Sequence, residues 1–282
     1  MLFQRTGQAY EAGPWAIMKL ALLGYYIQIY TNILGSSGTT YVDLFAGPGI
    51  DKIRGTQHKI MGSPLLAEFA PKRNKFTNLV LCEKEAAYAG ALRSILPHAS
   101  VIEKDINVQG LAELVDFLSS HPGHSLVFAD PEGLDLHFKT LVTVLGVTYS
   151  DVLVNYQPTS VNRVLGQVTQ NPAMEESLTD FFGTSAWRDG GDGNQLLDIY
   201  CSQLRKFRDS VVTVRVQGTR LFHYYIILAT RKVRRKDDQQ EEWVKSFNAA
   251  KRRVERIDAT VARSFLEIVT GNQAFFEIGE NP

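Results

Sequence analysis

Acidic side chains recur in this chain at one kind of place, at or just past the end of a short apolar run. Asp43 sits within Tyr41–Phe45, Glu83 follows Leu79–Cys82, Asp105 follows Ser100–Ile102, and Asp130 and Glu132 follow Ser125–Ala129. If each run is a strand of an open α/β sheet, the strand ends share one crevice in which ligands bind. Carboxylates there can accept hydrogen bonds from ribose hydroxyls or an amine, and Asp130 and Glu132 can also take a proton. Gly47-Pro48-Gly49 ends the first run, and glycines without Cβ atoms let a ligand approach main-chain N–H groups. Rival readings stand beside these. Asp130-Pro131 with Gly133 is also turn chemistry, Asp105 or Ile106-Asn107 can cap a helix, and Glu85 competes with Glu83 from inside the next helix.

The elements that must position these residues alternate. The spacing predicts a helix from Pro14 to about Leu34, with Trp15, Met18, Leu22, Tyr25, Ile29 and Ile33 on one face; Trp15 and Lys19 are either core or ligand contacts. Asp51–Met61 reads as a polar insertion, mobile or facing substrate. Ser63-Pro64 then starts a helix with Ser63 as its N-cap. GPGIDK is not GxGxxG, and a helix starting a dozen residues after the glycines lacks the dinucleotide geometry, which argues against NAD. A fifth strand, Asp151–Tyr156, and a hairpin of Val211–Val216 with Leu221–Ala229 complete a seven-stranded mixed sheet. A basic connection leads into a helix over about Gln240–Thr270 with a single apolar stripe, which either docks on the body or pairs with another chain. The expected organisation is 1–230 as the cofactor domain with its N-terminal helix and 231–282 as the basic connection and long C-terminal helix.

The 282 residues, 44% hydrophobic and 21% charged, suffice for a full core. No apolar run approaches the roughly 18 residues of a membrane span, and no signal-peptide pattern opens the chain, so a cytoplasmic protein is expected. Cys82 and Cys201 form neither a disulfide framework nor a metal pair, so no metal site is expected. Net charge is zero, yet Arg205–Arg263 holds 16 basic and 7 acidic residues. A basic C-terminal face would suit an anionic partner such as nucleic acid, and a solvated helical surface is the alternative.

YVDLFAGPG at Tyr41–Gly49, GSPL at Gly62–Leu65, LCE at Leu81–Glu83 and FADPEG at Phe128–Gly133 resemble the three-Cys-motif partner proteins. These belong among the Rossmann-like S-adenosylmethionine (SAM) methyltransferases. The resemblance covers about Pro14–Val164. It implies a three-layer α/β/α sandwich, SAM as cofactor, and a companion protein carrying a three-cysteine motif. It further implies that Asp43 orients the loop and the methionine ammonium, and that Phe45, Ala46, Gly47, Pro48 and Gly49 wall the methionine and ribose. Glu83 would take the ribose hydroxyls, Asp105 the adenine, and Asp130 the methionine end or the substrate. Glu132 stands where the resemblance leads one to expect an aromatic.

DLFAG also resembles the cofactor motif of cytosine-C5 DNA methyltransferases, but no Pro-Cys nucleophile follows the fourth strand. DPPY, which in amino methyltransferases holds an amine and stacks on a flipped base, is likewise absent beyond its Asp-Pro. The expected activity is methyl transfer from SAM, yielding S-adenosylhomocysteine (SAH), with Asp130 and then Glu132 as the candidate catalytic groups. The alternative is a SAM-binding partner or scaffold with little turnover.

Overall fold

The computed structural model describes residues 7–34, 38–217 and 223–231. The chain opens with strand β1 (Tyr10–Ala12) and helix α1 (Ala16–Leu34), followed by β2 (Thr39–Asp43), β3 (Ile50–Ile53), β4 (Lys59–Met61) and α2 (Ser63–Phe69). Strands and helices then alternate: β5 (Asn78–Cys82), α3 (Ala86–Ile95), β6 (Ser100–Ile102), α4 (Gly110–Ser120), β7 (His124–Ala129), α5 (Phe138–Val147) and β8 (Tyr149–Tyr156). Helices α6 (Pro158–Leu165), α7 (Ala173–Phe182) and α8 (Leu196–Leu204) lead to the hairpin β9 (Ser210–Gln217) and β10 (His223–Thr230).

Seven strands form one sheet in the order β6-β5-β2-β7-β8-β10-β9. The pairs from β6 to β8 are parallel, and β10 runs antiparallel to both β8 and β9. Strand alternation divides the core into two layers. Tyr41, Leu79, Leu81, Leu126, Phe128 and Leu153 pack towards α1 and α2. Val42, Val80, Val127, Val152 and Val154 pack towards α4, α5, α7 and α8. This is a three-layer, Rossmann-like α/β/α fold. From β2 the chain moves to one side through β5 and β6, then returns to the other side at β7, so β2 and β7 flank the topological switch point.

Three sequence expectations change. Helix α1 is enclosed over most of its circumference, with Leu20, Leu23, Tyr26, Ile27 and Tyr30 buried while Ile33 stays 52% exposed. Its apolar residues occur at nearly every position, so a single stripe read from spacing was not unique. The stretch Asp51–Met61 is no loose insertion. It folds as the β3–β4 hairpin and pairs with β1 in a second, three-stranded sheet, with Ile50, Ile53, Ile60 and Met61 turned into the core. The N-cap of α2 is Gly62, not Ser63, and α4 starts at Gly110 with Gln109 as its cap. The long helix expected over Gln240–Thr270 lies outside the described residues. Among those described, no helix is long and apolar enough to cross a membrane.

One residue of the basic stretch is internal. Arg208 is 3% exposed and donates to the carbonyls of Ser150 (3.0 Å) and Leu145 (3.2 Å) and to Ser150 Oγ (2.6 Å). Arg231 donates to the same Leu145 carbonyl at 3.1 Å. Two guanidiniums therefore meet the carbonyl end of α5, where positive charge is favoured. Arg208→Met is expected to lower unfolding free energy by about 2–3 kcal/mol, the cost of losing charge-assisted hydrogen bonds and leaving buried acceptors bare. Urea denaturation checks this, and a loss within about 0.5 kcal/mol, typical of surface changes, would refute it.

Candidate cofactor and active site

A crevice of about 1460 Å³ opens along the C-terminal ends of β6, β5, β2, β7 and β8. Of the residues singled out from sequence, Phe45, Ala46, Gly47, Glu83, Asp105, Asp130 and Glu132 line it together. Asp43, Pro48 and Gly49 stand behind that surface.

Asp43 is fully buried and serves the loop from beneath. Its carboxyl accepts from Tyr41 Oη (3.0 Å) and Phe45 N (3.2 Å) and bonds the Ser63 hydroxyl. Burial pushes its pKa up to about 7 despite these three donors. Three further bonds fix the loop: Leu44 N to Phe128 O, Ala46 N to Cys82 O, and Gly62 N to Gly49 O. Gly47 and Gly49 take φ of +60° and +79°, which other residues rarely adopt. A Cβ on Gly49 would also meet Ile95 Cδ1 at 2.9 Å, whereas one on Gly47 would meet nothing within 4 Å. Gly49 is thus required by packing and Gly47 by the turn beside open space.

The Gly62–Gly49 bond alters the expectation drawn from the delayed helix. The hairpin loops out and returns, so Gly62 and Ser63 at the start of α2 abut the glycine turn and line the crevice. The added residues are accommodated without carrying the helix away.

Glu83 is 9% exposed, with Oε2 accepting from Gly47 N and Oε1 from Glu85 N, both at 2.8 Å. Burial raises its pKa. Two oxygens tied to two backbone donors keep further lone pairs for a ligand. Glu85 holds the N-cap position of α3 without a side-chain cap bond, and it too lines the crevice. Asp105 lines the crevice, and its Oδ1 accepts from Asn107 N at 2.8 Å in the turn ahead of α4; it is not the helix cap, a position that Gln109 holds. Asn107, read as a possible helix cap, instead joins two strand ends. It donates to Asp135 O (2.6 Å) and accepts from His137 N and Thr140 Oγ1 (both 3.0 Å).

Beyond β7, Asp130 pairs with Lys19 of α1 through one oxygen and accepts from Asn155 Nδ2 through the other at 2.6 Å. Glu132 accepts from Tyr10 Oη at the rim. Asp51 of the hairpin lies nearby; burial drives its pKa up to about 7, with Lys19 opposing and Asp130 and Asp43 reinforcing the shift. Sequence spacing weighed Lys19 but missed Tyr10, Asp51 and Asn155. Only Asn155 carried a signal, a lone amide inside the apolar run Val152–Tyr156.

No family model matches the chain, and no curated protein does. Among solved structures, it is similar to the Legionella pneumophila protein LPL1258, at TM-score 0.46 and 14% identity over 80% of this chain and 88% of that one. It is similar to human methyltransferase-like protein 13 in complex with SAH, at TM-score 0.46 and 13% identity over 86% and 93%. A third is the plantazolicin methyltransferase BpumL in complex with SAH, at TM-score 0.42 and 11% identity over 77% and 85%.

The raised carboxyls of Asp43 and Asp51 set a sign for pH dependence. Folded Asp43 and Asp51 hold a proton up to about pH 7, whereas unfolded carboxylates release theirs near pH 4. Between those values the folded state binds more protons, so their contribution to stability falls as pH rises from about 4 to 7 and is level above. Asp43→Asn should therefore flatten the decline in unfolding free energy between pH 5 and pH 8. An unchanged slope in denaturant titrations at the two pH values would contradict the assignment.

Proposed function

We propose that this protein is a SAM-dependent methyltransferase whose cofactor lies across the strand ends, from Asp105 and Glu83 over the glycine turn to Asp130. One observation carries it: a positive-φ glycine turn at the switch point, with acids from three neighbouring strand ends facing one crevice. The residues fit the group. Glu83, braced by two backbone N–H donors, suits a ribose diol, and Phe45, Ala46 and Gly47 present a narrow wall to the thioether. The crevice continues past Asp130 to Gln157, Ser160 and Asp180, which leaves space for an acceptor.

When bound, SAM supplies an electrophilic methyl; on transfer the C–S bond pair returns to sulfur, leaving neutral SAH, and the acceptor loses a proton. The chain's part is positioning and exclusion of water. Asp130, steadied by Lys19 and Asn155, is the group set to orient or receive that proton. Glu132, engaged by Tyr10 at the rim, comes second. The motif likeness to the three-Cys-motif partner proteins extends the proposal to an acceptor that is a companion protein or nucleic acid. For the latter, Arg205, Lys206 and Arg215 are exposed members of the basic segment, while the buried Arg208 is unavailable for phosphate contacts.

A thermal-shift comparison of SAM, SAH and NAD tests the cofactor. Stabilisation should follow RT ln(1 + [L]/Kd), about 2.7 kcal/mol at a hundredfold excess. It should appear with SAM and SAH and be lost in Glu83→Ala, whereas a shift with NAD alone would sink the proposal. Asp130→Asn should abolish methyl transfer while leaving in place the shift with 5′-methylthioadenosine, which lacks the amino-acid arm.

A further inference from the structure

Asn155 is 4% exposed and lines the crevice from β8. Its amide orientation is fixed because Nδ2 must donate to Asp130 Oδ1, 2.6 Å away. That leaves Oδ1 as a buried acceptor, and it meets no hydrogen-bond donor among the described residues. Leaving such an atom bare costs free energy that a bound donor would recover. The other oxygen of the same Asp130 pairs with Lys19, whose long stem can swing aside. The locality thus offers two adjacent acceptors and one movable cation.

We propose that Asn155 Oδ1 and Asp130 form a seat for an amino group of a bound ligand. A primary amino group carries at least two N–H bonds and can satisfy both acceptors at once, which a hydroxyl with its single proton cannot. The inference rests on the methyltransferase proposal, and the amine has two possible sources. It is either the α-amino group of the cofactor's methionine arm or an amine on the methyl acceptor. Strand β8 lies one place beyond β7, about 4.8 Å further from the glycine turn, which puts the seat where those two molecules would meet.

Calorimetric titration of wild type and Asn155→Ala with SAH and with 5′-methylthioadenosine, which lacks the amino-acid arm, separates the sources. A loss of about tenfold or more for SAH, with the truncated ligand unaffected, assigns the seat to the cofactor's amine. If neither ligand weakens, label from methyl-tritiated SAM offered to RNA, DNA and protein pools should appear on nitrogen and vanish in Asn155→Ala; that outcome assigns the seat to the acceptor.

Equal weakening of both ligands overturns the seat. So does unweakened binding combined with methylation on oxygen or carbon, or with no transfer at all. Wild-type protein that binds neither ligand would instead sink the cofactor assignment on which the seat depends. Should Asn155→Ala not fold, Asn155→Ser carries the same comparison, and SAH lacking its α-amino group reads the cofactor arm on wild type.

Discussion

The carboxyl group of Asp43 is the joint on which the crevice depends. Its two oxygens connect the side chain of its own strand (Tyr41), the first loop amide (Phe45) and the start of α2 (Ser63). The strand, the loop that leaves it and the start of α2, separated by the whole hairpin, thereby meet at one buried point. The loop that leaves this point has Gly49 pinned under Ile95 and Leu92, so the turn can take only one path. Burial raises the pKa of Asp43 to about 7, which means the fold gives up stability there at neutral pH. The return is a turn held rigid beside the crevice, with its amides tied to Asp43, Phe128, Cys82 and Glu83.

A second constraint is electrostatic. Lys19 pairs with Asp130 and acts against the repulsion that Asp130 and Asp43 exert on Asp51. Without it three carboxyls would share a partly dry region, and like charges held that close cannot all ionise. The amino-terminal segment therefore does more than cover the sheet. Helix α1 supplies the counter-charge for Asp130, and β1 supplies the Tyr10 hydroxyl for Glu132. Strand β1 is itself held by parallel pairing with the hairpin at Asp51.

Much of this was legible in sequence, and the exceptions have physical causes. The central strands were readable because parallel strands covered on both faces are almost wholly apolar, so Leu79–Cys82 and Ser125–Ala129 stood out against their flanks. The acids at strand ends were readable because a topological switch point fixes where such residues face. The β1–β3–β4 sheet was not. Its strands are short and show no regular alternation of polar and apolar residues, and β1 pairs with a segment some forty residues away, which no local pattern encodes. The orientation of α1 was equally hidden, since a helix apolar at most positions specifies burial without specifying a face. Lys19 and Tyr10 reach the acids only because that helix and strand pack where they do. Asn155 differed in kind: a polar side chain inside a buried strand is itself a sign of a partner.

The most direct test of the account is a crystal structure of the full chain with SAH bound. The account predicts SAH along the strand ends, its ribose hydroxyls within about 3.2 Å of the Glu83 carboxylate and its sulfur between the Gly47 turn and Asp130. SAH bound elsewhere on the molecule, or bound in the crevice with its ribose turned away from Glu83, would contradict it.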